Sequence, residues 1–296
     1  MLSQSILDFT AQTPEAPIPC VWRAGRFAWP VAEHDRPLVM GIVNVTPDSF
    51  SDGGQFVSSE SAIAHAERLI TEGADILDIG GESTRPGAAP VAVRTEIDRV
   101  LPVVRALAAS GHCVSIDTRH TEVMREAIAA GAMIVNDVTA LSAPGALAVC
   151  AQSDVGVVLM HMQGKPGTMQ AAPTYGDVVD EVVDFLRSRV ASCELAGIAR
   201  ERIAIDPGFG FGKTLEHNVE LTKALHRLLV LGCPVLTGWS RKATLGKLTG
   251  QPHAANRVYA SVAAALVCVT HGARIVRVHD VAATVDALRV WRAMRP

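Results

Sequence analysis

The sequence alternates eight short apolar runs with longer stretches of helical periodicity, and this alternation constrains the fold more than any other feature. The runs lie at residues 38–44, 76–81, 113–118, 133–138, 156–162, 203–208, 234–240 and 274–280. The stretches between them carry apolar residues at three- and four-residue spacing, with glycine near several ends, which is typical of amphipathic helices. A further helical stretch, VAATVDALRVWRAM, follows the last run.

Eight units of strand and helix predict a (β/α)8 TIM barrel. Strands that are joined through a helix run parallel, and eight such units suit a chain of 296 residues. An open doubly wound sheet is the alternative, but it usually has fewer strands and a GxGxxG turn after the first one, and the first strand here lacks that turn. Residues 20–30, CVWRAGRFAWP, predict an N-terminal hairpin that plugs the lower end of the barrel. We therefore expect an arm and hairpin over residues 1–37 and a single barrel over residues 38–296.

The composition excludes several classes of protein. Apolar residues make up 49% of the chain and charged residues 19%, which favours a large core over disorder. The formal net charge of -3, without a dense Lys/Arg block, argues against a nucleic-acid partner. No membrane span and no signal peptide are predicted, and the six cysteines form no CxxC pair. We expect a cytoplasmic protein that binds small molecules.

Nearly every predicted strand ends in a polar group, and in such barrels the active site lies at the carboxyl ends of the strands. One set suits the edge of a flat heterocycle: Asp117, Asn136, Asp206 and Lys242. A second set suits a phosphate or pyrophosphate: Asn44, Thr84, Arg85, Arg277 and His279. A single Asp or Asn after a strand is as often a helix cap. Groups of this kind from four strands favour one pocket with a ring at one end and an anion at the other.

Several longer motifs resemble those of the dihydropteroate synthases. They are GIVNVTPDSFSDGG, DIGGESTRPGA, SIDTRH, IVNDV, LMHMQGKPGTMQ, IDPGFGFGKTLEHNVEL, SRK and RVHDV, from about Leu38 to the end of the chain. The resemblance implies an Mg2+-assisted condensation of 6-hydroxymethyl-7,8-dihydropterin diphosphate with p-aminobenzoate, which gives 7,8-dihydropteroate and pyrophosphate. It also implies a homodimer. By the same resemblance, VTPDSFSDGG and STRPGA are mobile loops that close over the substrates, in keeping with their few apolar residues.

The resemblance further implies roles for individual residues. The pterin would contact Asp117, Asn136, Met160, Asp206, Phe211 and Lys242. The pyrophosphate would contact Asn44, Thr84, Arg85, Arg277 and His279, with Mg2+ held at Asn44. The p-aminobenzoate would contact Ser83, Thr84, Pro86, Phe211, Lys213, Ser240 and Lys242. Asp117 would stabilise the cationic pterin methylene that the departing pyrophosphate leaves, and Lys242 and Arg277 would complete the catalytic set.

Two alternative functions stay open from the sequence. A pterin-binding methyltransferase that acts on methyltetrahydrofolate would share the barrel, but it would have little use for Arg85 and Arg277 because no pyrophosphate leaves. A non-catalytic pterin-binding homologue would be expected to lack Arg85 or Lys242, and both are present. His161, a lone histidine at a strand end, is interpreted as a hydrogen-bonded structural group, and no histidine spacing predicts a zinc site.

Overall fold

The computed structural model describes residues 21–32, 35–45, 55–83, 90–164 and 167–294, with the backbone alone at 55–58. The strands are β1 (Val21–Ala24), β2 (Phe27–Pro30), β3 (Leu38–Asn44), β4 (Ile76–Gly80), β5 (Val114–Asp117), β6 (Ile134–Asp137), β7 (Gly156–Met160), β8 (Ile203–Asp206), β9 (Val235–Thr237) and β10 (Ala273–Val278). The helices are α1 (Gln55–Thr71), α2 (Val93–Ala109), α3 (Thr121–Ala129), α4 (Ala146–Ala151), α5 (Val178–Leu195), α6 (Leu215–Lys223), α7 (Ala243–Thr249), α8 (Val258–Thr270) and α9 (Val281–Ala293).

Strands β3 to β10 form a closed parallel barrel in chain order, with β10 hydrogen-bonded to β3. At least one helix follows each of these strands. The predicted (β/α)8 TIM barrel is therefore confirmed, and the open sheet is excluded because every barrel strand has two neighbours. Strand β8 ends at Asp206, two residues before the predicted end. Pro207 has no N–H for the ladder, and Gly208 has a φ of 69°.

The predicted hairpin is present as β1 and β2, which pair in antiparallel register from Val21–Pro30 to Ala24–Phe27. Trp22 of this hairpin is fully buried. It belongs to one apolar cluster with the residues that begin strands β3, β4 and β6, namely Leu38, Ile76 and Ile134. The hairpin thus packs on the amino end of the barrel. The division of the chain at residue 37 stays a prediction, because residues 1–20 lie outside the described part.

Because side chains alternate along each strand, one layer of core lies inside the barrel and another lies between the barrel and the helices. Side chains of successive strand residues point to opposite faces, so Leu38 and Met40 of β3 join the cluster inside the barrel while Val39 and Val43 join the outer cluster. The outer cluster includes Ala62, Ala66 and Leu69 of α1. The barrel interior is apolar at its amino end, and the polar side chains described below lie at its carboxyl end.

Two predictions about the chain as a whole can be compared with the described residues. Within them, no helix combines the length and the apolar character needed to cross a membrane. The cysteines in this part of the chain are free thiols and buried, at positions 113, 150, 193, 233 and 268.

Candidate active site

Strand register brings the predicted polar residues side by side at the carboxyl end of the barrel. Asn44 of β3 pairs with Gly80 of β4, Gly80 pairs with Asp117 of β5, and Asp117 pairs with Asn136 of β6. Met160 of β7 pairs in the same way with Asp206 of β8. Paired residues of neighbouring strands share one face of a sheet. The register thus gathers the side chains that the sequence predicted as one pocket.

Arg277 of β10 bridges two carboxylates inside this pocket. Its Nε donates to Oδ2 of Asp78 at 2.6 Å, and its Nη2 donates to Oδ2 of Asp117, also at 2.6 Å. Asn136 Nδ2 donates to the same Asp78 oxygen at 3.0 Å. Asp78 is fully buried, whereas 17% of the Asp117 side chain and 21% of the Arg277 side chain are exposed. Arg277, Asp117 and Asn136 therefore form one connected network through Asp78.

Asp78 is a member of the site that the sequence reasoning missed. It lies in the middle of β4, whereas the predicted site residues lie at or after the ends of strands. A signal was present nonetheless. Asp78 is the one charged residue in the otherwise apolar run ILDIG, two residues before Gly80 and hence on the same face. A buried carboxylate within a parallel strand requires a partner, and Arg277 supplies it.

Burial and the neighbouring charges shift the protonation of this network. Burial raises the pKa of Asp117 above its ordinary value, with Arg277 opposing the rise and Asp78 adding to it. Burial opposes the charge on Arg277, but the carboxylates of Asp78 and Asp117 raise its pKa further above the ordinary value. Arg277 therefore stays charged, and Asp117 is the member whose ionisation responds to its surroundings.

Asp206 and Lys242 form the other side of the predicted ring-binding set. Asp206 is buried, and its Oδ1 accepts a hydrogen bond from the Gly208 backbone N–H at 2.7 Å. Burial raises the pKa of Asp206, with that hydrogen bond opposing the rise. Burial lowers the pKa of Lys242 to about 8, with Asp206 opposing the fall. The Lys242 ammonium lies 4.1 Å from the centre of the Phe211 ring, which is a cation–π distance.

Ser240 and His279 contact each other just beyond the carboxyl ends of β9 and β10. Ser240 Oγ and His279 Nδ1 are 2.9 Å apart, and the His279 backbone N–H donates to Ser240 Oγ at 3.0 Å. Between Ser240 and Lys242, Arg241 has a φ of 57°, a left-handed conformation that is uncommon for a side-chain-bearing residue. Its guanidinium pairs with Asp280. Arg241 thus pairs with Asp280, whereas its neighbours in the sequence, Ser240 and Lys242, belong to the predicted site.

Lys213 lies beneath the surface of the site. Its side chain is only 2% exposed, and its ammonium contacts His161 Nδ1 at 2.8 Å, the Gly208 carbonyl at 3.0 Å and the Phe211 carbonyl at 3.1 Å. His161 is hydrogen-bonded, as the sequence predicted, through its contact with Lys213. The assignment of Lys213 to p-aminobenzoate stays a prediction.

The remaining predicted residues divide between the described and undescribed parts. Asn44 and Ser83 are described, and both are partly buried. Thr84, Arg85 and Pro86 lie outside the described residues, as does most of each predicted loop. Their assignments to pyrophosphate and to p-aminobenzoate stay predictions.

Oxygen atoms at the pocket fit the Mg2+ that the resemblance implies. A Cβ added at Gly80 would lie 3.7 Å from Asp117 Oδ2 and 3.8 Å from Asn44 Oδ1, so the glycine leaves space open between two oxygen atoms. Mg2+ prefers such oxygen ligands and keeps water and phosphate oxygens in its other positions. A second group of possible ligands, Glu82, Glu96 and His120, lies nearby within 4.8 Å of one another. There, Arg119 already pairs with Glu82 through two hydrogen bonds of 3.0 Å.

Comparison with known proteins agrees with this geometry. A sequence profile of the pterin-binding enzyme family matches residues 40–279. The dihydropteroate synthase of Neisseria meningitidis serogroup B is 55% identical over 280 residues, which cover 93% of this chain and 97% of that protein. The solved dihydropteroate synthase of Xanthomonas albilineans with 4-aminobenzoic acid superimposes with a TM-score of 0.85 at 55% identity, over 91% of this chain and 96% of that chain. The Yersinia pestis dihydropteroate synthase in a sulfonamide drug complex gives a TM-score of 0.87 at 45% identity, over 93% of this chain and 99% of that chain.

A (β/α)8 barrel with this polar pocket, together with the family match over most of its length, defines a pterin-binding enzyme. Within that class, the chain belongs to the dihydropteroate synthases, transferases of folate synthesis. The relatives described above favour this activity over both the methyltransferase and the non-catalytic alternatives.

Proposed function

We propose that the pocket at the carboxyl end of the barrel condenses 6-hydroxymethyl-7,8-dihydropterin diphosphate with p-aminobenzoate, with a separate set of residues for each part of the reaction. The observation that carries the proposal is the bridge from Arg277 to Asp78 and Asp117. The bridge holds the Arg277 cation against Asp117, the carboxylate that we assign to the reacting carbon. An anion and a developing cation can both be stabilised at such a position.

The pterin ring is assigned to the deeper polar groups. Asp117, Asn136 and Asp206 offer hydrogen-bonding atoms from three different strands, and Met160 and Phe211 offer apolar surface. Lys242, whose pKa burial lowers to about 8, can donate to a ring acceptor. A flat heterocycle with donors and acceptors on its edge matches this set. The support for the assignment is the strand register that brings the groups to one rim.

The diphosphate is assigned to Arg277, His279 and Asn44, and to Thr84 and Arg85 of the undescribed segment. Arg277 uses Nε and Nη2 for its carboxylate partners, and its Nη1 makes no hydrogen bond within the described residues. That nitrogen can donate to a phosphate oxygen while the bridge stays in place. Asn44 would hold Mg2+ through its amide oxygen. When bound, Mg2+ supplies positive charge that neutralises the leaving diphosphate.

The p-aminobenzoate is assigned to the mouth of the pocket. Ser83, Phe211, Ser240 and Lys242 are described members, Lys213 is a described but buried one, and Thr84 and Pro86 lie in the undescribed segment. The Phe211 ring offers an aromatic face, and the Lys242 ammonium, 4.1 Å from its centre, offers a positive charge for a carboxylate. An aryl carboxylate has both features that this pair would recognise.

The chemical step needs charge stabilisation more than it needs a base. The bond from the pterin methylene carbon to the diphosphate oxygen breaks, and both electrons leave with the pyrophosphate. The cationic methylene is stabilised by the Asp117 carboxylate, and the amine nitrogen of p-aminobenzoate then forms the new C–N bond. The proton that the amine loses goes to solvent or to pyrophosphate. Positioning of the two reactants supplies the remaining rate enhancement.

Formation of 7,8-dihydropteroate by the purified protein tests this proposal. The product should form when the pterin diphosphate, p-aminobenzoate and Mg2+ are all present, and omission of any one of them should abolish it. Product formation without Mg2+ would remove the metal from the account. Absence of product in the complete mixture would contradict the proposed reaction.

A homodimer and a cytoplasmic location complete the proposal. Four large apolar side chains are exposed on α8 and on α9 with its C-terminal cap, namely Tyr259, Val267, Val290 and Met294. The two helices pack against each other, so the side chains can form one apolar surface suited to a second copy of the chain. Sedimentation equilibrium should give twice the chain mass, and Tyr259→Glu should shift the equilibrium towards the monomer. The buried free thiols are compatible with a reducing cytoplasm.

A further inference from the structure

The loop after β8, residues 208–213, packs its backbone directly against the chain that follows β7. Gly208 and Gly212 have positive φ values of 69° and 63°. A Cβ at Gly208 would lie 1.9 Å from the His161 carbonyl oxygen, and one at Gly212 would lie 2.3 Å from the Gln163 carbonyl oxygen. No side chain fits at either position. The two segments therefore form a unit in which the position of one fixes the position of the other.

Side chains from several elements bond to the backbone of this loop. Asp206 accepts from the Gly208 N–H, Asn218 of α6 accepts from the Gly210 N–H, and Tyr175 donates to the Gly212 carbonyl, each at 2.7 Å. A loop whose alternate residues are all bonded in this way is held in one conformation. The Phe211 backbone lies between these fixed points.

Lys213 supplies the support at Phe211 itself. Its ammonium donates to the Phe211 carbonyl at 3.1 Å and to the Gly208 carbonyl at 3.0 Å, so it spans the loop from below. Its third partner is His161 Nδ1 at 2.8 Å. Burial and the nearby Lys213 charge lower the pKa of His161 to about 3. The imidazole is therefore neutral, and Nδ1 can accept the hydrogen bond.

His161 is in turn fixed by aromatic contacts. Its ring meets the edge of Phe185 at 5.0 Å between ring centres, and it lies 6.1 Å from the ring centre of Tyr175. Only 6% of His161 is exposed. The imidazole thus has little freedom to turn, and it fixes the ammonium that holds the loop.

We infer that Lys213 and His161 are positioning residues for p-aminobenzoate, which act through the Phe211 backbone and do not touch the substrate. The inference rests on the proposed function, because that proposal places the Phe211 ring and Lys242 at the aryl carboxylate. Lys213 is 2% exposed, and its Nζ lies within 3.1 Å of three polar partners, the His161 Nδ1 and the Gly208 and Phe211 carbonyl oxygens. Its effect on p-aminobenzoate therefore passes through the carbonyl of the residue whose ring faces Lys242.

Two substitutions at His161 separate positioning from general stability. His161→Leu fills similar space but removes the acceptor, whereas His161→Asn keeps an acceptor oxygen at about the reach of Nδ1. In His161→Leu, KM for p-aminobenzoate should rise about tenfold and KM for the pterin diphosphate should change by no more than about twofold. Phe211 also offers apolar surface to the pterin, but Asp117 and Asn136, on strands away from the loop, hold the polar edge of the ring in both variants. In His161→Asn, KM for p-aminobenzoate should return to within about threefold of the wild-type value.

A double-mutant cycle with Phe211→Leu identifies the route of the effect. If His161 acts through Phe211, the change in KM for p-aminobenzoate in the double variant should be smaller than the product of the two single changes. Multiplicative changes, or equal rises of both KM values in His161→Leu, would overturn the inference. If His161→Leu does not fold, Lys213→Gln carries the same test. If Phe211→Leu alone leaves KM for p-aminobenzoate unchanged, the proposed role of Phe211 fails instead.

Discussion

Arg277 and Asp78 are joined by a hydrogen bond of 2.6 Å from Nε to a carboxylate with no exposed surface. The other carboxylate partner of Arg277, Asp117, is partly exposed and lies at the reacting end of the proposed pocket. Asp78 can therefore keep Arg277 in place when a substrate takes Asp117 away from it. Loss of the Asp78 charge would leave the Arg277 charge buried with less compensation, so the buried pair stabilises the position of Arg277.

Asp78→Asn should weaken this hold without a change of shape. The amide can still accept from Arg277, but it has no negative charge, and Asn136 competes for its oxygen. We expect kcat/KM for the pterin diphosphate to fall about tenfold, which corresponds to about 1.4 kcal/mol in the barrier. Asp98→Asn, an exchange of the same chemistry at a carboxylate on the surface of α2, should stay within about twofold of wild type. An unchanged kcat/KM in Asp78→Asn would exclude a positioning role.

Asp117→Asn should retain the fold and lose turnover. The carboxylate charge at the pterin methylene would be absent, so kcat should fall at least tenfold, an effect of about 1.4 kcal/mol or more. Circular dichroism and the thermal midpoint should stay close to those of wild type. A normal kcat in the folded variant would remove Asp117 from the mechanism.

Arg277→Lys should weaken the diphosphate end of the pocket selectively. Lysine keeps the charge, but it has one side-chain nitrogen. Arginine has three, which can contact two carboxylates and a phosphate at the same time. Calorimetry should show about tenfold weaker binding of the pterin diphosphate, and a much smaller loss for the corresponding pterin alcohol without phosphates. Equal losses for the two ligands would contradict the anion assignment.

Lys213 should give the unfolding free energy a measurable dependence on pH. Burial lowers the pKa of Lys213 to about 7, with Asp206 opposing the fall and Lys242 adding to it, whereas an unfolded lysine has a pKa of about 10.4. Between these values the unfolded chain holds a proton that the folded chain has released. The unfolding free energy should therefore rise with pH in this window, by up to about 1.4 kcal/mol per pH unit from this group.

Urea unfolding at pH 7, 8 and 9 tests that contribution. The wild-type unfolding free energy should rise more steeply with pH than that of Lys213→Met, which lacks the titrating group. Lys247→Met, at an exposed lysine of α7, should follow the wild-type slope. Parallel curves for wild type and Lys213→Met would show that Lys213 keeps its proton throughout this range.

The barrel could be predicted from the sequence because its periodicities are local. Runs such as LVMGIVN and GVVLM are apolar on both faces, as strands covered by helices outside and by side chains inside must be. The end of β8 was less predictable. The sequence IAIDPG gives no sign of a strand end before Pro207. Hydrogen bonding with the neighbouring strand stops there because proline has no backbone N–H.

The site could be predicted only where chemistry coincides with a strand end. Asp117, Asn136 and Asp206 lie at or beside such ends, so their convergence follows from the barrel. Asp78 and the direction of the Lys213 side chain depend on partners far along the chain. Arg277 is 199 residues from Asp78, and His161 is 52 residues from Lys213. The lone charge in ILDIG indicates that Asp78 needs a partner, but only the closed barrel identifies which residues the partners are.

The most direct test of the account is the amount of pyrophosphate released per dihydropteroate formed, measured for the purified protein with the pterin diphosphate and Mg2+. We expect one pyrophosphate for each dihydropteroate when p-aminobenzoate is present, since the amine captures each cationic methylene that a departing pyrophosphate leaves. Pterin binding without pyrophosphate release, with p-aminobenzoate at saturation, would contradict the account and identify the pocket as a binding site alone.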